Sequence, residues 1–137
     1  MIEEVVLVNE KDEAVGTMEK MAAHEQAILH RAFSVFVFNT AGDVLMQQRA
    51  HSKYHSGGLW TNTCCSHPRP GEEVVAAATR RLHEEMGFTT SLTKAFDFTY
   101  KAVFENGLTE HEFDHVILGQ YDGLVNFNPN EVAAYAY

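Results

Sequence analysis

Residue types capable of chemistry concentrate in a few places in this 137-residue sequence. From position 110 to 115, acids and imidazoles alternate as Glu110-His111-Glu112-Phe113-Asp114-His115. In extended backbone successive side chains point to opposite faces, so Glu110, Glu112 and Asp114 share one. Two carboxylates one pleat apart reach a single ion or substrate, although a solvated strand face has the same pattern. Val116 and Leu118 continue the acidic face as apolar residues, which places the acids at the end of something buried. Such carboxylates want a metal or a cationic partner. His24, His30 and His67 are candidates for the rest of a ligand shell, because imidazole with carboxylate suits manganese, iron or zinc. His51, His55, His83, His111 and His115 are assigned to surface or core. Cys65 stands two residues before His67, and its thiol, mostly protonated at neutral pH, can donate a proton as well as act as a nucleophile. Its neighbour Cys64 reads as a small buried hydrophobe. In Arg80-Arg81-Leu82-His83-Glu84-Glu85-Met86-Gly87, Arg81 and Glu85 stand one helical turn apart, as an ordinary ion pair or as part of a site.

These residues need elements to hold them. Val5 to Val8 reads as a strand, followed by a polar turn and a second short strand closing at Gly16; Thr17 opens a helical turn through Ala22-Ala23. Phe33 to Phe38, apolar on both faces, forms a hairpin with Val44 to Gln48. The segment from His51 to Pro70 has no periodicity and is longer than a connection requires. A helix runs from Glu72 to Met86, with Val74, Val75, Ala78, Leu82 and Met86 at helical spacing and Gly87 placed to end it. Phe96, Phe98 and Tyr100 then alternate with polar residues, and after a turn at Asn106-Gly107 the alternation resumes from Glu110 to Gly119. More strand than helix predicts an α/β sandwich built on a mixed sheet.

Composition excludes several classes. The length suits one domain with a core of its own. No stretch is long and apolar enough for a membrane span, and the start lacks the cationic region of a secretory signal, so the expectation is a cytoplasmic protein. Adjacent cysteines fit reduced thiols better than a disulfide or a structural zinc site. A net charge of −9 disfavours nucleic acid, whose binding requires Lys and Arg to neutralise phosphates. Five of the ten basic residues, Arg49, Lys53, Arg69, Arg80 and Arg81, nevertheless fall between positions 49 and 81. They form either a solvated charge run or the seat of a small phosphorylated ligand.

The helix resembles the Nudix box, with Glu72, Arg80, Leu82, Glu84, Glu85 and Gly87 in register. Ser66 replaces the motif's first Gly, and Arg81 replaces one of the metal-binding acids of the hydrolases. The rest of the chain, from Val5 to about Val132, resembles the type I isopentenyl diphosphate isomerases. The segments that carry the likeness are Gly16-Thr17-Met18-Glu19-Lys20, Ala23-His24, His30-Arg31-Ala32-Phe33-Ser34, Gln48-Arg49-Ala50 with Ser52-Lys53, Trp60 to Pro68, Tyr100-Lys101-Ala102 and Glu110-His111-Glu112.

The resemblance implies a Nudix-like α/β/α sandwich with a mixed β-sheet, and an isomerase acting on a small isoprenoid diphosphate. By position, His24, His30, His67, Glu110 and Glu112 would bind Mn2+ or Zn2+, and Glu85 would hold Mg2+ bridging the diphosphate. Arg49, Lys53 and Arg81 would neutralise phosphate oxygens. Cys65 and Glu112 would exchange protons with the alkene, with Tyr100 orienting Glu112. Relatives continue several dozen residues further, so a single domain over 1–137 lacking that segment is expected. The rival readings are a Nudix diphosphate hydrolase, which would not need Cys65, and a metal-binding domain without catalysis.

Overall fold

The computed structural model describes residues 2–53, 56–104 and 106–137; the assignment of His55 lies outside them. The chain opens with an antiparallel pair, β1 (Glu4–Val8) and β2 (Ala14–Glu19). Asn9 shapes their turn, its Oδ1 accepting from the backbone of Lys11 at 2.9 Å and Glu13 at 3.1 Å. Thr17 is therefore not the start of a helix: it pairs with Val6 inside β2. Helix α1 (Lys20–Glu25) begins three residues later, because the Glu19 carboxylate accepts from the amides of Met21 (3.1 Å) and Ala22 (2.8 Å).

Strand β3 (His30–Phe38) leads towards β4 (Met46–Arg49), but the expected hairpin does not form as a ladder. The arms are joined near the turn, by a bridge between Phe38 and Val44 and by bonds from Leu45 N to Val37 O at 2.8 Å and from Asn39 N to Asp43 O at 3.0 Å. The Thr63 hydroxyl accounts for the split. It accepts from Val37 N at 2.9 Å and donates to Leu45 O at 2.6 Å, taking the place of backbone pairing. The segment expected to be irregular also contains two short strands, β5 (Trp60–Thr61) and β6 (Cys64–Ser66). Helix α2 (Val74–Met86), β7 (Leu92–Val103), β8 (Thr109–Gln120) and β9 (Val132–Ala136) complete the chain.

The larger sheet has the order β2-β1-β3-β8-β7, with β6 also paired to β3; a smaller sheet has the order β5-β4-β9. Strands β3 and β8 run parallel and the other pairs antiparallel, a mixed sheet as predicted. Register decides which residues meet. His30 pairs with Glu112 and Ser34 with Val116 across β3 and β8, Cys65 with Ser34 across β6, and Tyr100 with Glu112 across β7. Side chains alternate along each strand, so His30, Ser34, Cys65, Tyr100, Glu112 and Asp114 share one face. The opposite face carries Phe33, Val35, Val37, Cys64 and Ile117, packed against Ala77, Ala78, Leu82 and Met86 of α2. Each large side chain buried there contributes about 1.5–3 kcal/mol. Helix α1 lies on the polar face, where its His24 ring centroid is 5.2 Å from that of His30, giving the α/β/α layering.

Two caps fix α2. The Glu73 carboxylate accepts from the amides of Val75 (3.1 Å) and Ala76 (3.0 Å). At the other end Gly87 adopts φ +75°, and a Cβ there would lie 2.0 Å from Asn126 O. This end must be fixed because it carries Arg81 and Glu85 to the site.

Candidate active site

Three imidazoles, from α1, β3 and the segment after β6, converge on Glu112. The ring centroids of His24 (α1), His30 (β3) and His67 are 5.0 to 5.6 Å apart. One donor atom from each, together with a Glu112 oxygen, lies within 4.8 Å of the others. His24, His30 and Glu112 are buried. His24 Nδ1 is 2.7 Å from Lys20 O and His30 Nδ1 is 2.8 Å from Ile28 O. A carbonyl only accepts, so Nδ1 carries a proton in both rings and Nε2 is the atom left to ligate. His30 Nε2 and His67 Nε2 stand 3.2 and 2.9 Å from the same oxygen, Glu112 Oε2. Three imidazole nitrogens and a carboxylate oxygen this close could share one cation, and this nitrogen and oxygen donor set suits a divalent transition metal. Burial lowers the His24 pKa, further favouring its neutral, ligating form. Burial opposes the Glu112 charge, but the two imidazoles beside its Oε2 outweigh it and hold the carboxyl well below its usual range.

Glu110, expected in the same shell, falls outside that group of four. It shares the Tyr100 hydroxyl, which lies 3.0 Å from Glu110 Oε1 and 2.5 Å from Glu112 Oε1. Burial and the two carboxylates push the Tyr100 phenol far above its ordinary range, so it remains a donor. Cys65 lies on the same wall, its Sγ 2.9 Å from Asn62 Oδ1 and 3.7 Å from Ser34 Oγ. Burial pushes the thiol up to about 12 against those hydrogen bonds. Ser34 donates in turn to Asp114 Oδ2 at 2.8 Å. Burial raises the Asp114 carboxyl to about 7, with Glu112 and Glu110 adding to the shift. A cavity of about 500 Å³ is lined by Cys65, Glu112, Tyr100 and Glu110 and by the rings of Trp60, Phe98 and Phe104. It brings a thiol and a carboxylate, groups able to serve as acid and base, to face one space.

A recess of about 100 Å³ shares Arg49, Cys65, Ser66, His67 and Glu85 with that cavity and adds Lys20, Lys53, Arg81 and Glu131. Arg81 donates to Glu84 and Glu85, each at 2.8 Å, and lies 3.4 Å from Glu131. Burial alone would disfavour its charge, and the Glu85, Glu84 and Glu131 carboxylates more than reverse this. Lys53 pairs with Glu131. Of the remaining basic run, Arg80 is tied to Glu72 and Glu84. Gln47 donates to Glu85 Oε1 at 3.0 Å and to Thr63 O at 2.7 Å, fixing the carboxylate.

Sequence reasoning therefore anticipated the clustering of His24, His30, His67 and Glu112. Strand alternation also put Asp114 on the face of Glu112. Gln47 and Glu131 were missed, single polar residues without a spacing pattern, while Ser34 and Asn62 stood inside recognised segments without an assigned role.

The fold and the converging ligands mark a Nudix-type protein, and residues 28–137 match the NUDIX domain family model. A crystal structure of a Deinococcus radiodurans protein superposes with a TM-score of 0.80 at 24% identity, covering 98% of this chain and 82% of that one. The MutT protein from Methanosarcina mazei gives 0.67 at 17% identity, over 79% and 75%. Among sequence relatives, the isopentenyl-diphosphate Delta-isomerase of Pectobacterium atrosepticum is 55% identical over 134 residues, covering 98% of this chain and 75% of the relative. That of Serratia proteamaculans is 50% identical over the whole chain and 76% of the relative. The chain belongs to the isopentenyl-diphosphate Delta-isomerase family.

Proposed function

We propose that this protein is an enzyme that interconverts isopentenyl diphosphate and dimethylallyl diphosphate, supplying isoprenoid precursors. The observation that carries this reading is the placement of the Cys65 thiol and the Glu112 carboxylate on the wall of one cavity. The reaction needs both at once. A proton is added to one end of the alkene, a tertiary carbocation forms, and a proton leaves carbon at the other end, so no net proton is consumed. One of Cys65 and Glu112 delivers and the other removes; direction sets which. Such transfers contribute on the order of 10²–10⁴-fold each. Tyr100, with its hydroxyl on both Glu110 and Glu112, orients the carboxylate. Trp60, Phe98 and Phe104 add aromatic surface to the cavity wall, a type of surface that attracts a cation.

His24, His30, His67, Glu110 and Glu112 are the residues that would hold Mn2+ or Zn2+. The ion would supply positive charge that keeps the carboxylate ionised and fixed. Glu85 would hold Mg2+ against the diphosphate, and Arg49, Lys53 and Arg81 would neutralise phosphate oxygens. Arg81 supports isomerisation over hydrolysis, since it stands where hydrolases of this fold carry an acid. Binding the diphosphate in the polar recess orients the short hydrocarbon chain in the adjoining cavity. Two free cysteines suit a reducing cytoplasm.

The test is incubation with isopentenyl diphosphate, Mg2+ and Mn2+ in D2O, followed by NMR. Deuterium uptake with dimethylallyl product is expected. Release of phosphate or pyrophosphate instead would replace this reading with a hydrolase, and metal uptake without either product would leave a binding domain.

A further inference from the structure

Asn62 has one orientation available to its amide. Its Nδ2 lies 2.9 Å from Val35 O and 3.2 Å from Cys64 O, and both partners are carbonyls that can only accept. The two amide hydrogens are thereby spent, and Oδ1 must be the atom that points the other way. There it meets Cys65 Sγ at 2.9 Å and the Thr61 hydroxyl at 2.9 Å. An amide oxygen cannot donate, so the sulfur supplies the hydrogen. The alternative partner, Ser34 Oγ, is farther away at 3.7 Å, and its own hydrogen is directed to Asp114 Oδ2 at 2.8 Å. The S–H vector therefore has one close acceptor, and that acceptor is anchored to the backbone of β3 and β6.

We propose that Asn62 is a positioning residue for Cys65, fixing the thiol rotamer and the S–H direction at the cavity wall through the acceptor oxygen that β3 and β6 hold in place. This rests on the isomerase reading, in which the thiol exchanges a proton with substrate carbon. A thiol on a short side chain otherwise has three staggered wells, and only one well directs sulfur to a given point. Misplacement of a reacting group by about 1 Å costs on the order of 10²-fold in rate. Asn62 does not have to touch substrate to exert this effect.

The test combines turnover with infrared spectroscopy of the full chain loaded with Mn2+ and Mg2+. In Asn62→Ala, kcat falls about 10- to 100-fold, while the KM for isopentenyl diphosphate and the bound-metal stoichiometry stay at wild-type values. The Cys65 S–H stretching band, isolated by subtracting the Cys65→Ala spectrum, sits at a hydrogen-bonded frequency in wild type and moves to the free-thiol frequency in Asn62→Ala. Ser34→Ala leaves the band in place. A free-thiol band in wild type overturns the proposal without any Asn62 variant. Unchanged kcat in Asn62→Ala, or a loss of kcat that tracks a loss of metal, overturns it as well. Because the infrared measurement needs no turnover, a band that shifts in a wild-type protein unable to isomerise would leave the contact standing and sink the functional reading. An unmoved band in an active enzyme sinks only the role of Asn62.

Discussion

Cys64 and Cys65 are chain neighbours on β6, and the pleat sends them to opposite faces of one sheet. Cys64 is fully buried among Val35, Leu82 and Met86. Cys65 lies beside Ser34 and Asn62 on a cavity wall. The division runs across the sheet: β3 sends Phe33, Val35 and Val37 to α2 and His30 and Ser34 to the site, and β8 divides Ile117 from Glu112 and Asp114. The apolar face supplies stability that the polar face consumes. Burying Glu112, Asp114 and two histidines is costly unless each finds a partner, and the packed core is what sustains that cost while the partners confer function. Changes on the two faces should accordingly fail in different ways.

The largest effect is expected on the polar face. Cys65→Ala and Glu112→Gln should each lower kcat by about 10³-fold or more, about 4 kcal/mol of barrier, with little change in the unfolding midpoint. Deuterium incorporation by NMR measures the first and denaturant unfolding the second. Full turnover in either variant would refute the acid–base assignment. On the other face, Leu82→Ala should cost about 2–5 kcal/mol of stability while the folded fraction keeps its turnover and metal stoichiometry. Cys64→Ala should act in the same sense, more weakly. A Leu82→Ala protein that keeps wild-type stability but loses metal would break the comparison.

His67 lies between these limits, because it is partly exposed and belongs to neither the core nor a strand interior. His67→Ala should weaken Mn2+ or Zn2+ binding by at least about 100-fold, the upper end of what loss of a residue merely supporting a ligand costs, with stability in the metal-free protein nearly unchanged. Calorimetric titration gives the first quantity and urea unfolding of the metal-free protein the second. Undiminished affinity would remove His67 from the ligand set.

How far the site could be read in the sequence follows from the same geometry. Alternation along β8 and helical spacing along α2 are properties of contiguous residues, so Glu112, Leu82 and the Gly87 stop were legible. Register between distant strands is not local. That Ser34 meets Cys65, or that Asn62 turns its amide oxygen to a thiol, depends on β6 adding to β3 across a segment whose sequence has no period. The failed hairpin has the same origin: nothing near Val44 reports that the Thr63 hydroxyl will occupy the gap between β3 and β4. His24, His30 and His67 were singled out as possible ligands by type, and resemblance to a family gathered them into one shell; neither showed that backbone carbonyls of Lys20 and Ile28 would set two of the ring tautomers.

The smallest expected effect tests whether a histidine on the apolar face behaves as a passive core residue. His115 pairs with Asp97 across β7, is buried, and lies 3.0 Å from Asp12 Oδ2, with Arg31 donating to Asp12 Oδ1 at 2.8 Å and Lys94 nearby. Burial lowers its pKa below 6.5, and the attraction of Asp12 and Asp97 restores only part of the loss. With the folded pKa below the unfolded one, the unfolded chain binds more protons just below pH 6.5, so stability rises with pH through that window and falls on acidification. His115→Gln keeps a polar side chain of similar reach without the titration and should flatten this slope. Urea midpoints between pH 5 and 7.5 would show the difference, measured for both proteins at the same metal loading so that the ligating histidines contribute equally to the two curves. Parallel curves for wild type and His115→Gln would mean that folding leaves the His115 pKa unshifted, and a wild-type curve that falls with pH relative to His115→Gln would mean that Asp12 holds the ring charged and the apolar face carries an ion pair.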